Sequence, residues 1–213
     1  MTTHNQPGQA NLIVVAGVPG AGKSTALREI AAVAEAAPGL RILDSDIQRH
    51  WLAARLPART PYGWYRPCVH LAHQVSVAGQ VVAGPNRRDG RPRRLIVHDP
   101  GTRPWWRRGL VTLARVRGWR AELVFVEVSR REALGGQLAR GRVVREASFE
   151  AHWHRGQRLA AQLRRSTMTE GGWQRAYLTS RAEAVGAVCA ALGIGGGTGG
   201  SVGGSVGDQR VAA

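Results

Sequence analysis

The segment that most restricts what this chain can fold into follows its first apolar run. Gly17-Val18-Pro19-Gly20-Ala21-Gly22-Lys23-Ser24-Thr25 matches the pattern Gly-x-x-x-x-Gly-Lys-Ser/Thr, with Asn11 to Ala16 directly before it and the helix formers Thr25 to Ala36 after it. The apolar run reads as a buried parallel strand, and the later segment as a helix that stops at Pro38-Gly39. In that setting the glycines let backbone amides turn inward around a β- and a γ-phosphate, and the helix amino end adds its positive dipole. Lys23 then bridges the two phosphates and Ser24 offers a hydroxyl to magnesium. Residues 17–25 are therefore the expected nucleotide-phosphate cradle.

The remainder alternates in the same way. Arg41 to Leu43 reads as a second strand ending in Asp44-Ser45-Asp46, and Asp46 is placed to cap a helix through Ile47, Trp51, Leu52 and Arg55. A helix from Arg66 to Val82, a polar loop from Gly84 to Arg93, and a third strand, Leu95-Ile96-Val97, ending in His98-Asp99 follow. Pro104 to Arg117 reads as a helix with Pro104 in its first turn, and Ala121 to Val128 as a fourth strand. Arg131 to Ala139 is a helix, Arg140 to Ser148 an arginine-rich connector, Phe149 to Arg165 a helix, Arg175 to Leu178 a fifth strand and Arg181 to Leu192 a closing helix. Strands parted by helices predict an α/β domain with a parallel sheet covered on both faces, whose ligands bind at the carboxyl ends of the strands. That rule gathers Gly17 to Thr25, Asp44, Asp46, His98, Asp99 and Thr179 to Arg181 at one end, with the Asp44–Asp46 stretch expected beside the loop. An apolar content of 43% over 213 residues suits one domain, here residues 11–192. Residues 1–10 are expected to be flexible and the Gly-rich tail 193–213 to be disordered.

Charge and composition narrow the partners. Lys plus Arg number 30 against 14 Asp plus Glu, a net +16, which favours phosphate-bearing or polyanionic partners, nucleic acid among them. Lys23 is the single lysine and every other basic side chain is arginine. Any lysine chemistry falls to Lys23, and the guanine-reading Asn/Thr-Lys-x-Asp motif of common GTPases is excluded. Cys68 and Cys189 sit far apart and outside metal-ligand spacing, which fits a reducing cytoplasm. No apolar stretch approaches the roughly 18 residues of a membrane span, so no membrane partner is expected.

The loop alone does not choose the class of nucleotide machine. Motor-type ATPases end the metal strand with an acidic pair whose second carboxylate polarises the attacking water, whereas here Asp99 is followed by Pro100. Leu134-Gly135-Gly136-Gln137 imitates a transporter signature but lies downstream of the metal strand, where that signature does not belong. Leu43-Asp44-Ser45-Asp46-x-x-Arg49 looks like the acceptor site of a small kinase. With these residues on the page, Leu12 to Leu192 resembles the P-loop kinases of the zeta-toxin and gluconate-kinase type, whose members are often labelled AAA-family ATPases.

The resemblance implies a three-layer P-loop NTPase fold with a five-stranded, mainly parallel, nucleoside-kinase-like sheet. It also implies ATP and Mg2+ as cofactors, and transfer of the γ-phosphate to a hydroxyl of a small metabolite or nucleotide-like acceptor. By the same resemblance Asp46 is the base, with Asp44 the alternate, and Asp44, Asp46 and Arg49 face the acceptor. Asp99, or His98 if the match is offset by one, is the metal-strand residue that joins Ser24 in holding magnesium. Arg140, Arg142 and Arg145 correspond to a lid over the nucleotide, within about residues 140–148. Trp64, Tyr65, Arg66, His70 and His73 fall where related kinases place an acceptor cap, and His70 and His73 share a helix face. Trp105 and Trp106 read as packing residues, with base stacking as the alternative. Two other readings stay open: a nucleic-acid end kinase, favoured by the charge and by Arg87-Arg88 and Arg93-Arg94, and an ATP-hydrolysing switch that signals to a protein partner.

Overall fold

In a computed structural model of the protein, which describes residues 11–34, 39–86, 93–139, 141, 144–165 and 172–193, the first apolar run becomes β1 (Asn11–Ala16) at the centre of a five-stranded sheet. Successive side chains of a strand point to opposite faces. Leu12, Val14 and Ala16 accordingly enter one core, and Ile13 and Val15 the other. Because both faces are covered, the run is apolar at nearly every position instead of every second one.

The chain continues through α1 (Lys23–Ala34), β2 (Leu40–Leu43), α2 (Ser45–Ala53), α3 (Tyr62–Val82), β3 (Arg94–His98), α4 (Pro104–Val116), β4 (Arg120–Val126), α5 (Arg130–Leu138), α6 (Glu146–Arg165), β5 (Arg175–Thr179) and α7 (Ala184–Leu192). All four strand pairs are parallel, in the order β2-β3-β1-β4-β5. Helices α3, α4 and α6 bring Val77, Val81, Leu110 and Leu159 onto Leu95, Leu123 and Phe125. On the opposite face α1 and α7 bring Leu27, Ile30, Val188 and Leu192 onto Ile96 and Val124. The fold is the expected three-layer α/β architecture. The chain leaves β1 toward β2 and β3 and then returns across β1 to β4, so the loop after β1 opens at the switch point where such sheets hold ligands.

Several expectations are corrected. β3 lies between β1 and β2, so Asp44 and Asp46 stand one strand away from the loop instead of beside it. Helix α2 begins at Ser45, two residues before the expected start, and its N-cap is Asp44, not Asp46. Asp44 has extended backbone and its carboxylate accepts from the Asp46 amide at 3.1 Å, as an N-cap must. Helix α3 starts at Tyr62, a turn before Arg66, and carries Pro67 in its interior. Helix α6 starts at Glu146, which shortens the arginine-rich connector, and α7 starts at Ala184, leaving Arg181 in a turn. The expectations for residues 1–10, the Gly-rich tail from 194 onward and Arg87-Arg88 lie outside the described residues. Arg94 opens β3, so Arg93-Arg94 sits at the end of the sheet away from the loop. Among the described residues no helix is long and apolar enough to cross a membrane.

Trp119 ties the entry to β4 to a covering helix: its indole is buried before β4, and its Nε1 donates to the Val81 carbonyl at the end of α3 at 2.8 Å. Trp119→Phe removes that buried hydrogen bond and leaves a gap. A loss of about 1–3 kcal/mol is expected, read as a lower urea midpoint with an unchanged m-value.

Candidate active site

The loop after β1 is shaped by contacts that leave no room for a side chain. Gly20 has φ +88°, in the left-handed region that favours glycine, and a Cβ there would lie 1.9 Å from the carbonyl oxygen of Ala133. Helix α5 can approach this closely because it presents Gly136, whose Cβ would stand 2.3 Å from the Gly20 oxygen. The transporter-like Leu134-Gly135-Gly136-Gln137 is thus a packing surface for the loop, and buried Gln137 accepts from the Val144 amide at 2.8 Å. A capping box starts α5: Ser129 Oγ accepts from the Glu132 amide at 3.2 Å, and Glu132 Oε2 accepts from the Ser129 amide at 2.7 Å. Arg181, in the turn after β5, completes the clasp by donating from Nη2 to the Gly20 oxygen at 2.7 Å and the Glu132 oxygen at 3.1 Å. In Gly136→Ala the new methyl meets backbone that must move. Nucleotide affinity is expected to fall about tenfold and stability by about 1–3 kcal/mol, measured by fluorescent-nucleotide titration and urea unfolding.

Lys23 heads α1 and is only 6% exposed; its Nζ donates to the carbonyls of Gly17 at 2.7 Å and Val18 at 3.0 Å. A buried ammonium at a helix amino end, within a cradle that Cβ atoms would fill, fits a polyphosphate. Among the described residues no group of three or more His, Cys, Asp or Glu side chains could hold a metal. Magnesium ordinarily takes one or two carboxylates together with substrate phosphates, and Ser24 and Asp99 are donors suited to that arrangement.

At the end of β3, His98 and Asp99 part company. The His98 ring turns toward β2, where Nδ1 pairs with Asp44 Oδ1 at 2.8 Å. Asp99 lies in the turn beside the loop: it is buried, its amide donates to Val15 O at 3.2 Å, and its Oδ1 accepts from the Gly101 amide at 2.6 Å. The Pro100 carbonyl accepts from the Gly17 amide at 3.2 Å, and the Arg107 guanidinium holds the Gly101 carbonyl. Burial works to raise the Asp44 carboxyl, but the His98 hydrogen bond and charge and the Asp46 amide outweigh it, leaving Asp44 at about 2. Asp46, in the first turn of α2, forms an ion pair with Arg49 at 3.1 Å and is 43% exposed at its side chain.

The cap residues gather at the same end. Arg66 Nε donates to His70 Nε2 at 3.3 Å. His73 is buried and its Nε2 hydrogen-bonds the His98 carbonyl at 3.0 Å. That bond requires the proton on Nε2, which leaves Nδ1 as an acceptor with no donor among the described residues. Sequence reasoning missed Thr102 and His152, whose Oγ1 and Nδ1 share a hydrogen bond of 2.7 Å; His152 comes from mid-α6 and belongs to no motif. Of the lid arginines, Arg145 is exposed just before α6, and Arg140 and Arg142 lie outside the described residues. Trp105 is exposed, and Trp106 meets it edge to face at 6.1 Å while packing on the core.

Burial first, then the charges of Arg155, Arg66, Lys23 and Arg103, lowers the His152 pKa from 6.5 to about 4. Between those values the unfolded chain binds a proton that the folded chain does not. Stability should therefore fall as pH drops from about 6.5 and level off for this group below about 4. His70 and His73 are lowered in the same direction, chiefly by burial. His152→Asn is expected to flatten, without abolishing, the decline measured by thermal unfolding across this range.

The fold and the loop together define a nucleotide-binding P-loop protein of the kinase-like group. A family model described as an AAA domain matches residues 12–166, and the chain belongs to that family. Solved structures with the same fold include Kti12 of Chaetomium thermophilum in complex with ADP-AlF3, 16% identical, with TM-score 0.54, covering 85% of this chain and 98% of that one. A chain of the PezAT toxin-antitoxin system of Streptococcus pneumoniae is 16% identical with TM-score 0.54, covering 82% of this chain and 68% of that one. The tunicamycin resistance protein of Deinococcus radiodurans is 15% identical with TM-score 0.52, covering 88% and 98%. No curated protein matches the chain.

Proposed function

We propose that the protein is an ATP- and Mg2+-dependent phosphotransferase acting on a hydroxyl of a small or nucleotide-like acceptor. The observation that carries this reading is the turn after β3. It presents one buried carboxylate, Asp99, and where a hydrolytic enzyme would place a second, it has Pro100, tied through its carbonyl to the Gly17 amide.

ATP bound with magnesium supplies the γ-phosphoryl group. Lys23 exchanges its loop carbonyls for the β- and γ-phosphates, and loop amides other than those of Gly17, Ala21 and Thr25, which donate within the protein, hold the polyphosphate. Ser24 and the Asp99 carboxylate would hold magnesium, which would offset charge on the phosphates. Asp44 is a poor proton acceptor at about 2 and is engaged by the α2 amino end and His98, which favours Asp46 as the base and gives Asp44 a positioning role. Arg49 orients the Asp46 carboxylate through their ion pair. The resemblance gives Arg140, Arg142 and Arg145 the role of offsetting negative charge on the transferring group.

The test follows label from the γ-phosphate of ATP into pools of hydroxyl compounds. Lys23→Ala is expected to abolish transfer, and Asp46→Asn to lower it by about 10²–10⁴-fold with ATP affinity unchanged. Normal transfer by Asp46→Asn removes the base assignment; release of free phosphate alone replaces the kinase with an ATP-hydrolysing switch. The net charge of +16 supports a second acceptor, the 5′-hydroxyl end of a nucleic acid. In that case label enters 5′-hydroxyl RNA and binding weakens steeply with salt.

A further inference from the structure

Helix α3 has two apolar faces, and the described residues bury only one of them. Val69, His73, Val77 and Val81, four residues apart, turn inward. On the other side Trp64, Cys68, Leu71, Val75, Ala78 and Val82 follow one another at alternating spacings of four and three residues. That alternation is the a and d pattern of a heptad repeat, which runs as one narrow stripe along a helix. From Trp64 to Val82 the stripe is about 27 Å long at 1.5 Å per residue. Although α2 and α4 both pack against α3, Trp64 is 82% exposed and Leu71 and Val75 are each 63% exposed. Cys68 and Val82 are exposed as well, and Ala78 is half-buried. One helix thus presents roughly 500 Å² of apolar surface, as much as the largest patch of an ordinary monomer. With Pro67, Ala72 and Gly79 along its borders, the face approaches the roughly 800 Å² that each partner of a stable pair buries.

Charge narrows what can cover this face. The chain carries +16, yet the 21 residues of α3 include no acid, no lysine and one arginine, Arg66. Nucleic acid or an anionic membrane needs basic residues bordering the contact, which the stripe lacks, whereas a second copy needs only the same uncharged surface. Gly79 points the same way. Glycine inside a helix is less favourable than alanine, and nothing lies within 4 Å of a Cβ built there, so no contact within the described chain calls for it. We propose that α3 pairs antiparallel with α3 of a second copy, in an isologous dimer whose two-fold axis passes beside residues 71–75. In that register Leu71 of one copy meets Val75 of the other, and Trp64 enters the hollow left by Ala78, Gly79 and Val82 of the other. Size and charge set the antiparallel sense. A parallel pair opposes Trp64 to Trp64 and brings the two Arg66 side chains to one level. The antiparallel pair sets Arg66 about 20 Å from its counterpart along the axis, beyond the roughly 8 Å over which charges act in physiological salt. Pairing also braces the helix whose His73 holds the His98 carbonyl at the candidate site, and it is independent of the phosphotransfer reading.

The test is sedimentation velocity with light scattering on the full-length protein, from low to high micromolar concentration. A dimer is expected, with a thermal midpoint that rises with protein concentration. Leu71→Glu/Val75→Glu places like charges around the two-fold axis and should weaken the dimer at least about tenfold. Both side chains are exposed in the single chain, so the variant should fold, which circular dichroism checks. Leu138→Glu, at an exposed leucine of α5, should associate as wild type does. The register is read by cross-linking in a Cys189→Ser background with copper–phenanthroline as oxidant. Ala78→Cys should give a covalent dimer through Cys68 of the second copy, and Cys68 alone should give none. A monomer at every concentration overturns the proposal, as does a dimer that the double variant leaves intact. A Cys68–Cys68 link in the Cys189→Ser protein overturns the antiparallel arrangement. Binding of a monomer to phosphatidylglycerol–phosphatidylcholine vesicles, lost in the double variant, gives the stripe to a membrane surface and overturns the pairing.

Discussion

The contact between α5 and the turn after β1 governs the geometry of the whole carboxyl end of the sheet. Two backbones meet there with no side chain between them, at Gly20 and Ala133 and again at Gly136 and the Gly20 oxygen. Protein interiors transmit such contacts because they are packed to near-crystalline density. The capping box that starts α5 and the reach of Arg181 from the turn after β5 therefore help to set the shape of a loop far from them in sequence. Lys23 closes the arrangement from inside, its ammonium held on two carbonyls of the same loop.

From that fixed loop the site extends toward the β2 edge through a chain of hydrogen bonds. Asp99 holds its own turn through the Gly101 amide, and the His98 carbonyl accepts from His73. The His98 ring reaches Asp44, which in turn starts α2 and presents Asp46 one residue inside the helix. A carboxylate so placed is set by the sheet order: with β3 interposed, the second strand can address the loop only through the residues that end the third.

Much of this was legible in the residues. The bounds of β1 agree with the structure, and the other strands and most helices differ by one or a few residues, because apolar runs and helix stops are local signals. The starts of α2 and α3 were misread for local reasons as well. Asp44 and Asp46 are both competent caps and only the backbone at Asp44 decides between them, while Pro67 hides a helix that begins before it. The Ser129–Glu132 capping box was readable from its spacing and went unread.

By itself, then, the sequence determined the α/β class, the glycine-rich loop with its single lysine between a strand and a helix, and the acidic residues that follow the second and third strands. Each of these depends on neighbours within a few residues. Only the tertiary structure decided the strand order, the seating of Gly136 on Gly20 and the pairing of His152 with Thr102. Those residues come from separate helices and loops with no shared spacing. What brings them together is the return of the chain across a sheet buried on both faces, and that packing leaves no mark on the local pattern of any one segment.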